Sequence, residues 1–268
     1  MGLFGNNYGV VKNLGLVNCN ISLTVNDKTG DVGGLAAKNY NTIENCYVQG
    51  NLGIYGDEST TGLLRLGGIS SGNENAIIRN TYFSGNITVN RTISTSASCS
   101  AGGITGGNTG EISKCYSAGT LSSKNIQYVA GIAANNDAKV KNCYNAMDIN
   151  IEDGYACGGI VGWDKGSQNA DVSYCYNKGN IIFNENGTER MGSLVGIYTG
   201  GKISRSYYLV NTLDAIGGMG STEVNYEFEA KTEEQMKSES MIELLNLENE
   251  GIWSQDIDEI NDGYPILN

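Results

Sequence analysis

The feature that most constrains this chain is an internal repeat. A glycine pair, or its remnant, followed by an apolar residue recurs at Gly33-Gly34-Leu35, Gly67-Gly68-Ile69, Gly102-Gly103-Ile104, Ala130-Gly131-Ile132, Gly158-Gly159-Ile160 and Gly192-Ser193-Leu194. Successive second positions lie 34, 35, 28, 28 and 34 residues apart, and Met1-Gly2-Leu3 fits as a truncated seventh member 32 residues upstream. A second landmark is an apolar residue three before a Cys-Tyr-like pair. It appears as Ile43/Cys46-Tyr47, Ile78/Thr81-Tyr82, Ile112/Cys115-Tyr116, Val140/Cys143-Tyr144, Val172/Cys175-Tyr176 and Ile203/Ser206-Tyr207. The Val172 unit carries four extra residues within 163–171, as a loop insertion would. Each unit offers three short β-like segments, none able to bury its apolar face alone. Stacked in register, like positions form ladders inside one core. The repeated sharp turns call for Gly or Asn, which supply positive φ. The single Pro agrees, because Pro cannot donate to a sheet ladder. A β-propeller blade needs about 40–45 residues, too many for these shorter units. The residues therefore predict an all-β parallel solenoid of about seven coils.

Charge divides the chain in two. Residues 221–268 hold 13 Asp/Glu against 2 Lys/Arg, whereas residues 1–220 hold 16 against 15. Of the 38 glycines, 36 precede residue 221. This predicts repeats over 1–220 and an acidic C-terminal cap over 221–268. Without His there is no His-based triad and no two-His zinc motif. The acidic balance argues against nucleic acid as a partner. No run of about 18 apolar residues exists to form a transmembrane helix.

The copy Gly102-Gly103-Ile104-Thr105-Gly106-Gly107-Asn108-Thr109-Gly110-Glu111-Ile112-Ser113-Lys114-Cys115-Tyr116-Ser117-Ala118-Gly119 resembles the GLUG repeat of bacterial surface proteins. Gly158-Gly159-Ile160-Val161-Gly162 is another close start, and Gly2-Leu3-Phe4-Gly5 looks like the opening coil before such repeats. The resemblance covers residues 2–210. It implies a right-handed parallel β-helix in secreted or cell-wall proteins, including adhesin-like proteins and the non-catalytic regions of immunoglobulin-A-specific metallopeptidases. Protease chemistry does not carry over, because its zinc motif needs two His. Thr81 and Ser206 replace Cys, and Ala130 and Ser193 disturb the glycine pair, so those coils are expected to be looser.

The tail, with Thr232-Glu233-Glu234-Gln235-Met236, Leu244-Leu245, Trp253 and Gly263-Tyr264-Pro265-Ile266-Leu267, resembles the closing segment of such surface modules. Thr232 and Gln235 read as a capping box, and Glu233 and Glu234 suit a helix N-terminus. Met236, Met241, Leu244 and Leu245 form an apolar stripe interrupted at 238–240. The expectation is a short helix and an extended tail covering the last coil, whose edge would otherwise invite aggregation.

Three residue sets invite chemistry. Cys46, Cys115, Cys143 and Cys175 share one repeat position. Neighbouring rungs place their Cβ atoms ~4.8 Å apart, against ~3.8 Å in a relaxed disulfide, so they read as buried free thiols. Cys19, Cys99 and Cys157 lie off this register, and a Cys99–Cys157 bridge stays open. Tyr47, Tyr82, Tyr116, Tyr144, Tyr176 and Tyr207 form a column of their own. Simple alternation turns them outward if the Cys point inward. Because Ile43 and Cys46 differ by three, a bend must intervene, and the Tyr could equally lie inside or at a corner. A structural ladder is the leading reading, and a ligand-binding stripe that stacks on sugar rings is the competing one. Asp256, Asp258, Glu259 and Asp262 cluster in the tail and read as a solvated face, with the wrong glycine spacing for an EF-hand.

No catalytic, metal or cofactor residues are assigned. The expected function is a non-enzymatic structural or adhesive module of a larger bacterial cell-surface or secreted protein. It is expected to be extracellular, with export signal and anchor outside this sequence, and to meet a host or cell-wall glycan or protein ligand. The alternative is a carbohydrate-active β-helix, a polysaccharide lyase or glycoside hydrolase, which needs converging carboxylates, or Lys/Arg beside a metal, in a lateral groove.

Overall fold

A computed structural model covers the chain. It describes all residues except 27–28, 58, 93–97, 168, 185–189, 211–212, 220–225 and 249. The chain coils into a parallel β-solenoid of about six turns, with a small helical C-terminal part. One sheet stacks eight parallel strands: Phe4–Asn7, Ala36–Asn39, Ser70–Asn73, Thr105–Asn108, Ala133–Asn136, Val161–Asp164, Val195–Tyr198 and Ile216–Met219. At ~4.8 Å per rung these eight extend roughly 34 Å. The Gly2 unit supplies the first rung, and 216–219 the last. Longer strands such as Ile77–Arg91, Glu111–Ala130 and Tyr144–Gly158 bend around the other faces and pair in register, Ile78 with Ile112 and Tyr82 with Tyr116. Between them lies one apolar core, with Ile43, Ile78, Ile112, Val140, Val172 and Ile203 all fully buried. The extra residues of the Val172 unit fall after Asp164, where they leave the ladder undisturbed.

The glycine pairs serve close approach rather than positive φ. A Cβ on Gly68 would lie 2.1 Å from the Gly103 carbonyl oxygen, and one on Gly103 2.0 Å from that of Gly131. Each coil therefore nests against the next where a side chain could not fit. Positive φ occurs elsewhere, at Gly50, Gly85 and Gly119 among others, and it recurs once per coil immediately before the Cys position. The residues at that position are Asn13, Asn45, Asn80, Lys114, Asn142, Tyr174 and Arg205, with φ between 46 and 55°. This left-handed residue is the bend that the Ile43–Cys46 spacing requires. Asn holds four of the seven positions, as its tolerance of this region predicts.

The substituted coils are not loosened at the Cys position. Cys46, Cys115, Cys143 and Cys175 each donate Sγ–H to the carbonyl two residues back, at 3.1–3.3 Å. Thr81 and Ser206 donate their hydroxyls to the equivalent carbonyls at 2.8 and 3.1 Å. They also accept a backbone N–H from Cys46 and Cys175. What the position selects is a small buried donor, and a hydroxyl satisfies it. Ala130 is fully buried and keeps its ladder partners Gly102 and Gly158.

The tail departs from expectation in where it lies. The strand Tyr226–Lys231 adds to the stack beside Lys202–Leu209, and its exposed Glu227 and Glu229 put charge on that edge. From Thr232 the chain runs back along the side of the solenoid. Two helices form, α1 (Glu233–Met236) and α2 (Glu239–Asn246), and the capping box at Thr232 and Gln235 is present. The break at Lys237–Ser238 lets Met236, Met241 and Leu245 all turn inward, where they are buried. Trp253–Ser254 and Ile266–Leu267 then pair antiparallel.

Candidate functional site: the tyrosine column

The bend before each Cys turns the thiol into the core and leaves the next residue, the Tyr, on the outside. The rings form a continuous stack. Centroids are 5.1 Å apart for Tyr47–Tyr82, 4.6 Å for Tyr82–Tyr116, 4.7 Å for Tyr116–Tyr144 and 5.0 Å for Tyr144–Tyr176, with interplanar angles of 1–8°. Tyr207 follows Tyr176 in the ladder, with Lys231 Nζ 5.7 Å from its ring centroid. Stacking uses up the ring faces. Below Tyr47, Gly15 is so close that a Cβ there would meet the ring at 2.1 Å. The column therefore presents ring edges and hydroxyls, not the flat faces on which a sugar would stack.

The tail divides the column. Tyr144, Tyr176 and Tyr207 are buried in a second apolar cluster with Met236, Met241, Leu245, Trp253 and Tyr264. Trp253 packs tilted against Tyr144 and Tyr176, with centroids 6.1 and 5.5 Å away, and its Nε1 donates to Asn142 Oδ1 at 3.3 Å. The Tyr176 hydroxyl donates to the Pro265 carbonyl at 2.6 Å and accepts from Asn261 Nδ2 at 2.7 Å. Lys178 and Asp262 form an ion pair at 2.8 Å, which lowers the Asp262 carboxyl below its ordinary range. These three tyrosines are thus removed from the expected stripe, because a ligand would have to displace the tail to reach them. Tyr47, Tyr82 and Tyr116 remain half-buried. Burial raises the Tyr82 and Tyr116 hydroxyls above the ordinary tyrosine range and raises Tyr176 far above it.

The tail carboxylates divide too. Asp258 and Glu259 are exposed, as a solvated face requires. Asp256 is instead buried, and its carboxylate accepts backbone N–H groups from Ile260, Asn261 and Gly263 at 2.7–3.0 Å. It shapes the turn that delivers Asn261 to Tyr176. Among the described residues no cluster of three His, Cys, Asp or Glu side chains could hold a metal ion.

All seven cysteines are free. Cys99 and Cys157 stand two coils apart and in different registers, beyond the ~7 Å Cα limit for a bridge. Cys99 Sγ instead lies 3.1 Å from Arg91 Nη1. Arg91 is fully buried, and its remaining donors meet the carbonyls of Thr60 and Gly62.

A second buried ladder escaped the sequence reading. Asn7, Asn39, Asn73 and Asn108 each pass an amide N–H to the Oδ1 of the next, ending on Asn136, at 2.8–2.9 Å. The sixth position is Asp164, which is fully buried. Asn136 gives its amide to the Ala138 carbonyl, and neither Asp164 carboxyl oxygen makes a hydrogen bond of good geometry among the described residues. Burial pushes this carboxyl up to about 7, outweighing the lowering by the nearby Gly166 N–H and Asn136 amide, while Asp137 and Asp171 add to the rise. The signal was present as the Gly-x-Asn of the repeat and its change to Gly162-Trp163-Asp164.

A lateral groove of about 320 Å³ is lined by residues including Thr88, Asn90, Ser122, Lys124, Asn150, Glu152 and Asn184. Its charged side chains, Lys124 and Glu152, form an ion pair with each other. The chain matches no protein-family model, and no curated protein is significantly similar to it.

Proposed function

We propose that this chain is a non-enzymatic structural and adhesive module, GLUG-like, of a larger bacterial cell-surface or secreted protein. It acts as a stiff spacer whose open tyrosine edge meets a glycan or host ligand. The observation that supports this reading is the contrast in hydroxyls along one stack. Tyr176 spends its hydroxyl on the tail, whereas the Tyr47, Tyr82 and Tyr116 hydroxyls have no hydrogen-bond partner among the described residues. A row of such groups one rung apart suits the hydroxyls of an extended saccharide better than its ring faces. The test is retention of the protein on insoluble cell-wall and host polysaccharides, with the triple variant Tyr47→Phe, Tyr82→Phe, Tyr116→Phe beside it. The stack stays intact in that variant, so retention should fall at least tenfold at unchanged stability. Equal retention would refute the role given to these hydroxyls.

The carbohydrate-active alternative rests on the lateral groove. Glycoside hydrolysis needs two carboxyl groups flanking the bond, and Glu152 is the one carboxylate among the residues named there. Turnover of any polysaccharide in a product screen would favour the enzyme reading over the spacer.

A further inference from the structure

The tyrosine column hides its ring faces against one another, whereas a second aromatic group, on another side of the solenoid, covers its end faces with the side chains of two cations. Tyr128 stacks on Trp163 with centroids 5.0 Å apart and 26° between planes. Tyr155 and Tyr128 meet at right angles, with centroids 5.9 Å apart and 89° between planes, and Tyr155 is 40% exposed. A cation closes each end of this row. Lys165 Nζ is 5.4 Å from the Trp163 centroid, and Arg190 Cζ is 4.3 Å from that of Tyr155. Both cations are exposed, and neither forms an ion pair among the described residues. In a chain of formal charge −12, two exposed cations that lie over aromatic rings instead of beside carboxylates are unusual. Beneath the rings, Trp163 Nε1 and Asn135 Oδ1, one rung apart, have no hydrogen-bond partner among the described residues.

We infer that this row is a binding site for an acidic saccharide, a sugar ring carrying carboxylate or sulfate. The apolar face of a sugar ring packs on an aromatic face, and Tyr155 and Trp163 supply two faces at an angle to each other. Lys165 and Arg190 sit on flexible stems, so each can exchange its ring contact for an anionic oxygen, which Arg holds in bidentate fashion. A ligand hydroxyl admitted at the ring edge would also satisfy the stranded indole N–H. The same two cations repel a quaternary ammonium ligand, which three aromatic rings alone would have suited. Two positive charges are too few to track a nucleic-acid backbone on an acidic protein. The site shares no residue with the tyrosine column and stands whether or not that column binds anything.

The chain has two tryptophans, and Trp253, in the tail, is buried against the tyrosine column, so Trp163 reports on this site. The experiment titrates the full chain with hexagalacturonate, with a heparin hexasaccharide, and with neutral maltohexaose. Tryptophan emission and binding heat are followed at low and high salt. At least one acidic probe should give a saturable emission change, and maltohexaose should bind at least tenfold more weakly. The carboxylated and sulfated probes separate the two sources of negative charge. The surface variant Lys165→Ala/Arg190→Ala should lose at least tenfold in affinity, as should Tyr155→Ala. The triple Phe variant of the tyrosine column should bind as the parent does. No response to either acidic probe at millimolar concentration would overturn the assignment. So would equal binding of maltohexaose, or full affinity in the Lys165/Arg190 double variant.

Discussion

The N-terminal and C-terminal halves of the stack use the same landmarks and end up as different materials. In the first half the asparagine ladder is complete, and the half-buried tyrosines have hydroxyls with no hydrogen-bond partner among the described residues. In the second half the ladder stops at a buried carboxyl, and the tyrosines lie beneath a segment from outside the repeat. A solenoid's stability is roughly a sum of coil and interface contributions. The first half should therefore be stabilised by its own ladders, and the second by the tail and by the protonation of Asp164. One repeat sequence thus gives an open face where nothing follows it in space, and a sealed one where the tail folds back.

The largest effect should come from removing the anchor of the sealed half. Trp253→Ala should cost about 3–5 kcal/mol in denaturant-induced unfolding, because a buried indole leaves a cavity among Tyr144, Tyr176 and Met241. The loss should be confined to the C-terminal coils and the tail by hydrogen exchange. A uniform loss along the rod would break the comparison.

Asp164 gives the next effect, and it depends on pH. Its carboxyl is raised to about 7 in the fold, while in the unfolded chain it titrates near 4. Between those values the folded state holds a proton that the unfolded state has lost, so stability falls as pH rises from about 4 to about 7 and is flat above. Asp164→Asn should remove that slope and gain up to roughly 4 kcal/mol at pH 8. The gain should vanish near pH 4. Equal stability of the two proteins at pH 8 would contradict the burial of an unpaired carboxyl.

Two matched substitutions sharpen the contrast within the column. Tyr176→Phe strands the Pro265 carbonyl and the Asn261 amide and should cost about 1–3 kcal/mol. Tyr82→Phe removes a hydroxyl with no partner among the described residues and should stay within about 0.5 kcal/mol of the parent. Thermal melts of the pair suffice, and similar losses at both sites would erase the distinction between the halves.

Much of the fold was legible because a solenoid writes its geometry into spacing. The glycine pairs, the Ile-x-x-Cys step and the extra residues after Asp164 each mark a rung, a corner or a loop. Even the bend was implied, since Ile43 and Cys46 cannot both face inward along an unbroken strand. Gly50, Gly85 and Gly119 do supply the positive φ expected of turn glycines, but the role of the glycine pairs was not legible, because spacing does not separate a residue needed for positive φ from one needed for close approach. Coordinates separate them at once, with Asn45 bearing the φ and Gly103 the contact. The tail was assigned to the end of the stack because nothing in Trp253 or Tyr264 names the surface it packs on. The row of Tyr128, Tyr155 and Trp163 was equally hidden, because each belongs to a different strand and the row exists only once coils stack.

Hydroxyl-radical footprinting of the six column tyrosines, with and without a retained polysaccharide, tests the division most directly. The account predicts that Tyr47, Tyr82 and Tyr116 are oxidised in the free protein and protected by the polysaccharide, whereas Tyr144, Tyr176 and Tyr207 are protected throughout. Equal oxidation of all six would contradict the sealed half. Unchanged oxidation of the first three under a bound polysaccharide would contradict the open one.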